Sequence, residues 1–146
     1  MSIVEKFTPK YNFNIKQTRN EYSKINNLAL RGLEVATYDH NTKEVVSHLK
    51  KPILDYLLSR VTFSVDEIYD DKLQSWTISV PEIDLYGEGT TKERALSDLI
   101  SSIQEYIELY SENDLLSKHE SPEKQAAIIK LMRCDDAEAM RKTLGV

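Results

Sequence analysis

The chain has 146 residues, 40% apolar and 29% charged, with a net charge of −5, which bounds it to one medium or two small globular domains. No apolar run comes near the roughly 20 residues that a membrane span needs, and residues 1–6 hold no basic-then-apolar leader. The single cysteine, Cys134, excludes an internal disulfide and a cysteine metal cluster, so a reducing, cytoplasmic home is expected.

The charge is unevenly spread. Residues 1–60 hold ten Lys/Arg against six Asp/Glu, and residues 61–146 hold nine against eighteen. A basic front half suits a polyanion such as DNA and an acidic rear half suits a basic protein, although chance partition of surface charge gives the same split.

In chain order, Tyr11-Asn12-Phe13-Asn14-Ile15 alternates apolar and polar and predicts a half-buried strand. Thr18 with Glu21 three residues on predicts a capping box, followed by a helix carrying Tyr22, Ile25, Leu28, Ala29 and Leu30 and stopped by Gly32. Residues 33–38 and 44–49 read as two strands around the turn formers Asp39-His40-Asn41-Thr42, and Pro52 opens a helix with Ile53, Leu54, Leu57 and Leu58 on its apolar face. This first module, residues 1–60, is strand–helix–strand–strand–helix.

The second module, residues 61–113, begins with the alternating Val61-Thr62-Phe63-Ser64-Val65, a predicted strand. An acidic turn around residues 69–72 leads to a strand over residues 75–80 that Pro81 interrupts, and to a third strand over residues 83–89. Thr90 with Glu93 predicts a capped helix whose Ala95, Leu96, Leu99, Ile100, Ile103, Tyr106, Ile107 and Tyr110 keep a 3,4 spacing. In the tail, residues 114–146, Ser121-Pro122 and Asp135-Asp136 start two short helices. Both are too short to stand alone and must dock on the second module or on a partner.

No catalytic residue and no metal or cofactor site is assigned. His40, His48 and His119 have no metal-ligand spacing, and Gly87-Glu88-Gly89 lacks the rest of a phosphate-binding loop and reads as strand-end chemistry. The acids Asp66, Glu67, Asp70, Asp71, Glu82 and Asp84 leave one enzymatic alternative, a small nuclease dependent on a divalent metal.

Trp76-Thr77-Ile78-Ser79-Val80-Pro81-Glu82-Ile83 and Tyr86-Gly87-Glu88-Gly89-Thr90-Thr91-Lys92-Glu93-Arg94-Ala95-Leu96 resemble the HicB-like antitoxin family, with Arg94 in place of the usual second acid. The resemblance covers residues 61–113 and implies a truncated ribonuclease-H-like sheet, without its catalytic acids, used for binding.

The first module is similar to the Phd/YefM antitoxin family. That similarity rests on Thr18-Arg19-Asn20, Ser23, the glycine-ended helix, and the pair Val35-Ala36-Thr37-Tyr38 and Glu44-Val45-Val46-Ser47-His48-Leu49, with Asn41-Thr42-Lys43 where the family has glycine, lysine and proline. It implies a homodimer that binds operator DNA through its first helix. The carry-over falls on Lys16, Arg19, Asn20 and Lys24, residue types that read base edges and neutralise phosphates; a solvated helix face shared with Glu21 is the rival account.

The tail resembles RelB-like tails that fold onto a toxin. That implies Ile128, Ile129, Met132, Met140 and Leu144 as anchors and Asp135, Asp136 and Glu138 facing basic residues, unless the tail completes the second module's core.

The expected protein is thus an α+β antitoxin of a type II toxin–antitoxin pair. Its partners are a basic, RNA-cleaving toxin and operator DNA, with no cofactor and no membrane. A dimerisation protein without a DNA role is the remaining alternative.

Overall fold

A computed structural model describes residues 9–146; the leader reading at residues 1–6 lies outside them. The chain divides into two compact units between Leu57 and Leu58, and the class is α+β, as expected.

The first unit runs β1 (Tyr11–Asn14), α1 (Ile15–Asn20), α2 (Tyr22–Leu30), β2 (Val35–Tyr38), β3 (Val45–His48) and α3 (Lys51–Ser59), whose end crosses the division. β1 lies parallel to β2, with Phe13 opposite Thr37, and parallel neighbours need a crossover, which α1 and α2 supply. β3 returns antiparallel on the other side of β2, giving the order β1-β2-β3. Asp39 Oδ1 accepts the Asn41 N–H at 2.8 Å in the hairpin turn, and Lys43 takes φ 58° there. Phe13, Ile25, Ala29 and Val35 form the buried core, with Tyr11 and Leu28 against it.

The predicted capping box at Thr18 is corrected. Asn14 caps one turn earlier, its side chain accepting the Gln17 N–H at 2.8 Å while Gln17 Oε1 accepts the Asn14 N–H at 2.9 Å. Thr18 is inside α1 and its hydroxyl donates back to the Asn14 carbonyl at 2.7 Å, a bond that bends helices. The single predicted helix is accordingly two, parted at Glu21. Gly32 ends α2 as expected. At φ 85° its N–H donates to the Ala29 carbonyl, and the Leu33 N–H reaches back to Leu28, the paired bonds of a Schellman motif.

The second unit holds β4 (Asp66–Asp70), β5 (Ser75–Val80), β6 (Leu85–Gly89), α4 (Lys92–Glu112), α5 (Asp114–His119), α6 (Pro122–Met132) and α7 (Ala137–Leu144). The strands form an antiparallel meander in the order β4-β5-β6.

Residues 61–65, predicted as its first strand, are unpaired, and β4 forms from residues 66–70 instead. The alternation was real, since Val61, Phe63 and Val65 pack on the core. Alternation reports which side chains face inward, not whether the backbone has a neighbour. Here the Ser64 N–H donates to Glu82 Oε1 at 2.6 Å and the Val61 carbonyl accepts from Lys130 Nζ at 2.6 Å. The third strand is shorter than predicted because Ile83 and Asp84 turn back onto Val80 and Pro81, with Asp84 at φ 57°. The predicted cap at Thr90 with Glu93 is corrected as well: the cap of α4 is Thr91, which accepts the Arg94 N–H at 3.1 Å, while Thr90 accepts from the Arg94 guanidinium.

One core fills this unit. Ile78, Val80 and Ile83 meet Ala95, Leu99, Ile100 and Ile103 of α4, and Ala127, Ile128, Leu131, Met140 and Leu144 of α6 and α7 belong to the same cluster.

Candidate functional site

In the first unit, Lys16, Arg19 and Asn20 fall at i, i+3 and i+4 on α1, hence on one face. Lys24 follows on α2, with its ammonium 5.9 Å from the Phe13 ring centre. All four are exposed. Among the described residues Lys16, Arg19 and Lys24 make no ion pair, with Glu21 or otherwise. The face therefore carries positive charge that no described acid pairs with. α1 is held at its start by the Asn14–Gln17 box and at its side by the Thr18 back-bond, so the three side chains sit on a short, braced element.

In the second unit the tail divides by burial. Ile128, Met140 and Leu144 are 1%, 3% and 4% exposed and are core residues, so as placed here they offer no anchor to a partner. Ile129 and Met132 are 40% and 43% exposed, and Asp135 and Asp136 are exposed too, the two acids lining one shallow hollow with Met132. Asp136 has a structural duty too: it caps α7, accepting the Ala139 N–H at 2.8 Å.

Side chains that sequence reasoning missed fasten the tail. The Arg141 guanidinium reaches Glu93 at 2.8 Å and Ser97 at 3.1 Å. The Tyr106 hydroxyl donates to Glu120, which also pairs with Lys124 at 3.1 Å. Burial first, and then the bond to Glu120, raise the Tyr106 phenol above its ordinary value; the same bond, and after it Lys124, hold Glu120 below the usual carboxylate value. The spacing of Glu120 and Lys124 was a local signal; Glu93 and Arg141 are too distant in sequence to give one.

The acids behind the nuclease alternative are dispersed. Glu67 pairs with Lys92 at 2.8 Å, Glu82 holds the Ser64 N–H, and Asp70 closes the β4–β5 turn on Lys72 and Leu73. Among the described residues no three His, Cys, Asp or Glu side chains are grouped to hold a metal. His48 bonds Thr37 at 3.1 Å, His40 packs edge-on to Tyr38, and Cys134 lies 3.3 Å from the Thr143 hydroxyl.

The geometry is that of a two-unit α+β protein whose chemistry-bearing side chains lie on exposed faces. A family model described as PHD-like, antitoxin of toxin–antitoxin, RelE/RelB, TA system, matches residues 10–146, and the chain belongs to that antitoxin family. The fold is similar to a crystal structure at 1.80 Å from Syntrophomonas wolfei subsp. wolfei, described as the antitoxin part of a candidate toxin/antitoxin system. The TM-score is 0.62 at 17% identity, over 90% of this chain and 94% of that one. No curated protein matches. Membership of an antitoxin family implies a cognate toxin as partner and a binding role. No helix among the described residues is long and apolar enough to cross a membrane.

Proposed function

We propose that the chain neutralises a co-encoded, basic, RNA-cleaving toxin by direct binding and, as a homodimer, represses its own operon by binding operator DNA. The exposed, ion-pair-free face of Lys16, Arg19 and Asn20, continued by Lys24, is the observation that carries the DNA half. Arginine and asparagine read base edges, and lysines release counterions from phosphates. The dimer is supported by apolar surface on the first unit, where Tyr22, Leu30, Val45 and Val46 are exposed around a small core. Toxin contact falls on Ile129, Met132, Asp135 and Asp136, the tail residues outside the core, and an acidic surface suits a partner that itself binds phosphate. Toxin, transcript and operator share the cytoplasm, which is where the chain would act.

A mobility-shift titration with the DNA upstream of the gene tests the repressor role. The wild-type chain retards it in a salt-dependent way, and Arg19→Glu weakens binding by about tenfold or more, the scale expected for loss of a bidentate contact plus a reversed charge. Equal retardation by both proteins removes DNA binding from α1.

A further inference from the structure

We propose that the free edge of β4 is a strand-addition site for a basic, extended segment of a partner protein. The sheet order β4-β5-β6 leaves β4 paired on one side only, and all five of its residues are exposed. Among the described residues no backbone group of β4 bonds to anything outside its ladder with β5. The other edge of the sheet differs, because α4 presses on β6 and Asp98 accepts the Glu88 N–H at 2.9 Å. Proteins normally blunt an open edge with charged residues, proline or a bulge; Asp-Glu-Ile-Tyr-Asp has no proline and no residue of positive φ, so its three acids are its guard, and they repel acidic strands while leaving the edge open to a basic one.

The charge selects the occupant. By the register, Glu67 stands opposite the buried Ile78, so Asp66, Ile68 and Asp70 face away from α4, with Ile68 63% exposed between the two carboxylates. Glu67, on the inner face, is already matched by Lys92, whose ammonium also lies 4.7 Å from the Trp76 ring centre. A second copy adding antiparallel about Ile68 would set Asp66 against Asp70 twice, and like charges directly opposed are unfavourable. A strand with an apolar residue flanked by lysine or arginine at alternate positions meets Asp66, Ile68 and Asp70 in turn while completing the backbone ladder. The proposal rests on the reading that the chain binds a basic protein, and it names a second contact besides the tail.

Amide hydrogen exchange on the full-length chain, alone and with the protein encoded beside it, tests this together with calorimetric titration of wild type and Asp66→Lys/Ile68→Lys, which spares the Asp70 turn. Expected are protection of the outward half of the amides in residues 66–70 only in the complex, and binding weaker by about tenfold or more in the double variant, whose changes are both at exposed positions. Complex formation without that protection, or with undiminished affinity in the variant, overturns the edge proposal and leaves toxin binding standing. Protection that grows with the concentration of the chain alone makes a second copy the occupant and overturns it too. Absence of any complex defeats the underlying reading as well.

Discussion

Gly87 sits in the middle of β6 without a positive φ, so it is there for space and not for conformational freedom. A Cβ at this position would overlap the backbone of α4 at Leu99 N and Ala95 O, and one on Gly89 would lie 2.6 Å from Ala95 N. Backbone cannot step aside as a flexible side chain can, so Gly87→Ala forces helix and strand apart. The expected cost is about 3 kcal/mol or more, at the top of the range for overpacking, measured by urea denaturation. Glu120 is the other informative residue. Its carboxyl is held below its ordinary value of 4.5 by Tyr106 first and Lys124 second. A depressed folded-state value stabilises the fold above about 4.5, and that contribution is lost as pH falls through the lower folded value. Melting curves should therefore show Glu120→Gln less stable than wild type at pH near 7, with the gap narrowing as the pH falls below the ordinary value of 4.5.

At the scale of elements, α6 and α7 set buried and exposed apolar side chains within a few residues of each other. Leu144→Ala and Met140→Ala, both buried, should each cost about 2–5 kcal/mol. Ile129→Ala and Met132→Ala, both exposed, should leave stability within about 1 kcal/mol while weakening toxin binding measured by titration. Much of this layout was legible beforehand: the periodicity of α4, the Ser121-Pro122 and Asp136 starts and the Gly32 stop all rest on local chemistry. What escaped is non-local. Nothing in residues 61–65 announces that no strand lies beside them, and the Asn14–Gln17 box overrode a Thr18–Glu21 spacing of the same length. The basic face on α1 was visible in the residues themselves, whereas the burial of Ile128 beside the exposure of Ile129 needed the packing partners of α6.

At the scale of the molecule the two units are unequally provisioned. Among the described residues, four buried side chains make the core cluster of the first and twelve that of the second, so the first has more to gain from a partner copy. If it dimerises, its unfolding midpoint should rise with protein concentration, while that of the second unit should not. The protein carries the means to watch the two separately. Trp76 is its sole tryptophan and lies in the second unit, with Tyr69 of β4 5.1 Å away and the Lys92 charge over its indole. Its emission is thus a native optical gauge of that unit, set one strand in from the open edge. A partner arriving there should shift the colour or yield of its light without any dye having been attached.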